Sequence, residues 1–234
     1  MLVLGVIPAR AGSKGVPNKN IRLINGKHLI YYSIFESLKS KLISDVVVST
    51  DSKKFQNISI KYGAECPFIR PPELSGDGAL AIPTIQHAVN EIEKINNIKY
   101  DYIVMLQPTS PMRKSAHIDD ALSKLFSSNA DAIISVVNVN NNHPMKMKRF
   151  LGSDSISGTL VDYEKPPVEN CPRQKLPPVY IVNGAIYATK RDVLMEKNSF
   201  QGQNCIGYIM NENESVNIDT EIEFLIAEAL MKES

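Results

Sequence analysis

The chain has 234 residues, with 26 Lys and Arg against 25 Asp and Glu, a formal net charge of +1. That balance excludes an overall field drawing it to nucleic acid or to an anionic membrane, so any anion site has to be a local construction. The length suits one large domain, or a domain with a smaller appendage. Its 3 cysteines, Cys66, Cys171 and Cys205, are odd in number and far apart, which argues against a disulfide framework or a zinc ribbon and points to a reducing cytoplasm.

Leu2 to Ile7 is apolar, falls far short of a membrane span, and is expected to be a buried strand. Further strands are expected at Asp45 to Ser49, Glu65 to Ile69, Tyr102 to Leu106 and Ala132 to Val137. Helical periodicity covers Ile30 to Ser40, Lys53 to Tyr62, Ile82 to Ile95 and Ser115 to Ser127. This alternation predicts an α/β fold, helices packed on a mostly parallel sheet. From Asn138 to Pro178 the regularity stops in a stretch rich in Asn, Pro, Gly and Lys, expected to be an arm or insertion of a single domain. A strand at Val179 to Ile186 and a helix from Thr220 to Met231 close the pattern. The histidines His28, His87, His117 and His143 show no metal spacing, and Asp51 is most simply a turn or a helix cap.

The chemistry concentrates directly after the first strand. Residues Pro8 to Asn20 hold Arg10, Gly12, Ser13, Lys14, Gly15, Lys19 and Asn20. The glycines let the backbone turn tightly toward phosphate oxygens, and the three cations supply charge at the carboxyl end of a strand, where ligands of open α/β sheets bind. Neither the Walker spacing nor the dinucleotide Gly-x-Gly-x-x-Gly occurs, which removes the main support for a kinase or dehydrogenase.

The run Ala9-Arg10-x-Gly12-Ser13-Lys14-x-x-x-x-Lys19-Asn20 resembles the amino-terminal signature of the acylneuraminate cytidylyltransferases. The resemblance continues through Ser49-Thr50-Asp51, Arg70-Pro71-x-Glu73-Leu74 with Asp77, Leu106-Gln107-Pro108-Thr109-Ser110-Pro111-x-Arg113, Pro172-Arg173-Gln174, Asn183-Gly184-Ala185-Ile186-Tyr187 and Ile218-Asp219-Thr220-Glu221. It implies a nucleotidyltransferase-type fold, CTP as donor, Mg2+, a nonulosonic acid acceptor (sialic, legionaminic or pseudaminic acid), and a homodimer joined through the irregular arm.

By this resemblance Arg10 and Lys19 hold the triphosphate, Ser13 and Asn20 contact nucleotide, and Arg70 lies near cytosine and ribose. Gln107 and Arg113 are expected at the acceptor, Arg113 pairing with its carboxylate. Equivalents of Arg173 and Asn183 serve the acceptor and phosphates, and Tyr187 is either a sugar contact or core. Asp219 matches the family's metal-binding aspartate, but Asn217 stands where its partner aspartate is expected, and Thr220-x-x-Glu223 reads equally as a capping box. Ile181 occupies a place where many sialic acid enzymes carry Arg, which favours a diamino acceptor such as legionaminic acid. The competing readings are CMP transfer to an eight-carbon keto sugar acid and a non-catalytic sugar-nucleotide sensor.

Overall fold

The computed structural model describes residues 1–13, 15–152 and 158–233. The chain divides into two compact units, Met1–Val136 with Val182–Ser234, and Val137–Ile181.

In the first unit, β1 (Val3–Pro8) leads through a short hairpin, β2 (Leu23–Ile24) and β3 (Lys27–His28), into α1 (Leu29–Lys39). There follow β4 (Asp45–Ser49), α2 (Lys53–Lys61), α3 (Ala81–Asn96), β5 (Tyr102–Met105), α4 (Ser115–Phe126) and β6 (Ala132–Asn138). The second unit contributes β7 (Lys148–Leu151) and β8 (Thr159–Asp162); then come β9 (Tyr180–Lys190), α5 (Arg191–Met195), β10 (Cys205–Ile209) and α6 (Glu221–Glu233). Six strands form one sheet in the order β10-β6-β9-β5-β1-β4. The pairings of β1 with β4 and β5, and of β10 with β6, are parallel, whereas β9 runs antiparallel to β5.

Period-two alternation sorts the strand side chains onto two faces. Val3 and Ile7 of β1 join a core with Val46, Val48, Val104 and residues of α1, α2 and α4. Leu4 and Val6 join another with Val47, Ile103, Met105 and residues of α3 and α5. Helices therefore cover both faces, which is why the strands read as continuous apolar runs. Each long helix turns one stripe inward, as α3 does with Thr84, Ile85, Ala88, Val89 and Ile92.

One expectation differs from what forms. Glu65 to Ile69 is not a strand: Glu65 makes one parallel bridge with Val47, and Pro67 has no N–H to extend it. The segment from Asn138 to Pro178, expected to be an arm or insertion, falls within the second unit. The second unit contains the antiparallel pair β7–β8, with Phe150 opposite Leu160. Its buried His143 accepts from Met145 N–H through Nδ1 and donates from Nε2 to the Pro177 carbonyl.

Candidate active site

The loop after β1 is fixed on several sides. Ala9 N–H donates to the Ser49 carbonyl at 2.9 Å, one step past the β1–β4 ladder. Ala11 N–H then donates to Asp51 Oδ1 at 2.9 Å, and buried Asn20 donates from Nδ2 to the Arg10 carbonyl at 3.0 Å. Asn18 takes the left-handed conformation at φ 53°. Gly15 lies so near the carboxy-terminal segment that a Cβ there would stand 2.2 Å from the Asp219 carbonyl oxygen, so only glycine permits this approach. A Cβ at Gly12 would meet nothing within 4 Å, so the tight turn expected there does not require glycine. Lys14 lies outside the described residues.

A cavity of about 710 Å3 opens over this loop, walled by Arg10, Ser13, Gly15, Lys19 and Asn20 and by Arg70, Gln107, Gly184, Tyr187, Asn217 and Asp219. Lys19 Nζ donates at 2.7 Å both to the Ile218 carbonyl and to Asp219 Oδ1. Arg10 Nη1 donates at 3.1 Å to the Gly76 carbonyl and to Asp77 Oδ1. Arg70 is 4% exposed, and its Nε and Nη2 have no partner. Burial pulls its pKa below the ordinary arginine value, with Asp51 opposing that fall and Arg10 adding to it. A buried guanidinium with unused donors on a cavity wall is suited to accept a polar ligand, because leaving such groups unpaired is costly.

Asn217 Nδ2 donates to Asp219 Oδ2 at 2.9 Å, while Asn217 Oδ1 is buried without a partner. The capping box is present beside them: Thr220 N–H donates to Glu223 Oε2 at 2.7 Å, and Glu223 N–H donates to Thr220 Oγ1 at 3.3 Å. Asp219 is not the capping acceptor, so its carboxylate faces the cavity while Thr220 and Glu223 start α6. Asn217 Oδ1 and the Asp219 carboxylate are hard oxygens on one wall, a donor set that fits a magnesium ion sharing its shell with phosphate and water. Among the described residues no cluster of three or more His, Cys, Asp or Glu could hold a metal by itself.

Two expected acceptor contacts are engaged inside the fold of the first unit. Arg113 is 1% exposed, with Nη1 donating to the carbonyls of Gln107 and Ala185 at 3.1 and 2.8 Å and Nη2 to Ser33 Oγ at 2.5 Å. Burial pushes its pKa down to about 9 against the support of Glu36. It ties Gln107, just past β5, to the middle of β9, and its one unpartnered donor, Nε, is buried. Asn183 is equally engaged, its Oδ1 accepting from Ser135 Oγ and Ala185 N–H and its Nδ2 donating to Ser215 Oγ. Arg173 belongs to the second unit, where it donates to Asn141 Oδ1 at 3.1 Å. Tyr187 packs on the α3 core and also lines the cavity.

The cytidylyltransferase family profile matches residues 4–165, more than half of the chain. This chain is a cytidylyltransferase. The post-translational flagellin modification protein B of Campylobacter coli is 34% identical over 99% of this chain and 95% of its own length. The CMP-N,N'-diacetyllegionaminic acid synthase of Legionella pneumophila is 34% identical over 99% of this chain and 97% of its own. A solved CMP:2-keto-3-deoxy-manno-octonic acid synthetase, complexed with CTP, superposes with a TM-score of 0.73 over 100% of this chain and 99% of that one, at 17% identity, which shows a shared fold.

Within this cytidylyltransferase two features of the site escaped the sequence. Gly184 has φ +77°, and a Cβ there would lie 2.7 Å from Gln107 Oε1. Asp51 holds the loop through its side chain while Ser52 caps α2. The parallel β1–β4 register, which sets the residue after Thr50 beside the residues after Pro8, was the signal for the second.

Proposed function

We propose that this cytidylyltransferase transfers CMP from CTP to the anomeric hydroxyl of a nonulosonic acid, releasing pyrophosphate, and that the acceptor is a diamino acid of the legionaminic type. The observation that carries this reading is one cavity lined by the loop cations Arg10 and Lys19 and by the buried Arg70, whose Nε and Nη2 have no partner. Both loop cations rest on carboxylates, Asp77 and Asp219, which an incoming triphosphate can replace as partners. The reaction joins an anionic acceptor to an anionic donor, so positioning and neutralisation of charge growing on the leaving pyrophosphate account for most of the catalysis. Arg10 and Lys19 hold the β- and γ-phosphates, Ser13 and Asn20 shape the loop around them, Arg70 binds the nucleoside, and Gln107 and Tyr187 face the acceptor. Asp219 and Asn217 hold Mg2+, whose contribution when bound is to neutralise phosphate charge.

The acceptor assignment is supported by the similarity to the legionaminic acid synthase along nearly its whole length. The apolar Val182 on the cavity wall and Ile181 before it offer no donor for a polar acceptor group. We further propose a homodimer formed through the second unit, whose Phe150, Leu151 and Leu160 are exposed. A cytoplasmic setting suits the free cysteines; among the described residues no helix is long and apolar enough to cross a membrane.

Pyrophosphate release measured with N,N'-diacetyllegionaminic, pseudaminic and N-acetylneuraminic acids, each with CTP, tests the acceptor. The highest kcat/KM is expected for the legionaminic acid, and a clear preference for N-acetylneuraminic acid contradicts the assignment.

A further inference from the structure

We infer that Asp51 is a positioning residue for nucleotide binding, which holds the phosphate loop in its ligand-ready course by accepting the Ala11 N–H. The inference rests on the proposed nucleotide site. β1 and β4 pair in parallel up to Pro8 opposite Ser49, and Ala9 N–H still finds the Ser49 carbonyl. One step further the ladder has no backbone acceptor in the described residues, and the Asp51 carboxylate takes that place at 2.9 Å from Ala11 N. The contact is separated by 40 residues in sequence, so it is tertiary.

The other work an aspartate performs at this position is already done. Ser52 is the N-cap of α2, its hydroxyl accepting from Phe55 N–H at 3.4 Å, so capping does not explain Asp51. Asp51 is also the carboxylate acting on Arg70, a residue of the cavity lining whose Nε and Nη2 are buried without a partner. One side chain thus fixes the backbone between Arg10 and Ser13 and adds a counter-charge to a buried cation while no nucleotide is present. Ser13 N–H in turn donates to the Ala11 carbonyl at 3.0 Å, so movement of residue 11 is passed to the next contact of the loop. Without the Asp51 bond, Ala11 N–H loses a charge-assisted partner and the loop samples other courses; affinity then falls by the fraction of molecules in the competent one.

The variants Asp51→Ala and Asp51→Asn separate hydrogen bonding from charge, because Asn keeps an acceptor oxygen on a side chain of the same shape. In the full-length protein, Asp51→Ala is expected to raise KM for CTP about tenfold or more, with kcat within about threefold of the parent. Asp51→Asn is expected to stay within about threefold in both, since the weaker neutral bond is offset by removal of a negative charge near the triphosphate. Amide hydrogen exchange at Ala11, which requires no turnover, is expected to be slow in the parent and in Asp51→Asn and fast in Asp51→Ala. A merely structural aspartate would lower the melting temperature and leave KM for CTP unchanged in folded protein, which overturns the inference. So does unchanged Ala11 exchange in Asp51→Ala, or Asp51→Asn behaving as Asp51→Ala, which would assign the effect to charge alone. If the parent protein neither binds nor turns over CTP, the proposed function has failed, and the exchange at Ala11 still decides whether Asp51 holds the loop.

Discussion

Lys19 and Arg10 carry the loop's charge into the cavity from opposite partners, the Asp219 carboxylate on one side and Asp77 on the other. Replacing either with Ala is expected to lower turnover about 10²- to 10³-fold without unfolding the chain, the effect of removing one preorganised donor. Steady-state rates alongside thermal melts check this, and a normal rate in a folded variant contradicts it. Under the proposed magnesium site, Asn217 would bear on the metal in a graded way. Where a second aspartate would add a unit of negative charge beside the cation, Asn217 offers a neutral oxygen, and a nearby unit charge is worth on the order of 1 kcal/mol or more. Asn217→Asp is therefore expected to lower the magnesium concentration giving half-maximal rate, and Asp219→Ala to abolish most activity. Magnesium titration at saturating CTP decides both. Arg113 shows where residue-level reading stops: its type and its place after Thr109-Ser110-Pro111 are visible in the sequence, but its direction is not. The guanidinium turns inward to the carbonyls of Gln107, just past β5, and Ala185, in the middle of β9, two segments that are distant in sequence.

At the scale of elements, α3 and α5 are joined by Glu93 and Arg191, whose Nε and Nη2 donate to Oε1 and Oε2 at 2.6 and 2.7 Å. Burial alone would raise the Glu93 pKa, but the Arg191 and Tyr100 hydrogen bonds outweigh it and hold the group below its ordinary value. A carboxylate with a depressed folded-state pKa contributes stability above its unfolded value, near 4.5, and loses it as pH falls through the lower folded value. Thermal melts across the acid range should therefore fall more steeply for the parent than for Glu93→Gln, which is less stable at neutral pH by about 1–3 kcal/mol. Identical slopes would remove the pair from the acid response. β1, β4, β5, β6 and β9 and the long helices were legible because their apolar periods match the two faces they bury. β10 was not, since its five residues include Gly207 and pair with β6 from far along the chain. Glu65 to Ile69 misled for the opposite reason, an apolar run that Pro67 prevents from pairing.

At the scale of the whole molecule, Arg10 to Asn20 stood out in the sequence as a candidate loop and does line the cavity, whereas the wall facing it is assembled from Arg70, Gln107, Gly184 and Asn217, which no local pattern unites. The second unit, Val137–Ile181, displays Phe150 and Leu160 directly opposite each other on β7 and β8, so they share one face of the hairpin. Under the proposed dimer, the double variant Phe150→Glu with Leu160→Glu is expected to shift light scattering from dimer to monomer; a parent protein that is monomeric at working concentration contradicts the dimer. The central claim is that the cavity moves CMP from CTP onto a sugar acid. Its most direct test is pyrophosphate release by the purified protein with CTP and magnesium, in the presence and absence of N,N'-diacetyllegionaminic acid, with ATP and GTP in parallel. Release that requires both CTP and the acceptor, and yields the CMP-sugar by mass spectrometry, is the result expected. Equal release with ATP, or none with CTP and any nonulosonic acid, contradicts the account.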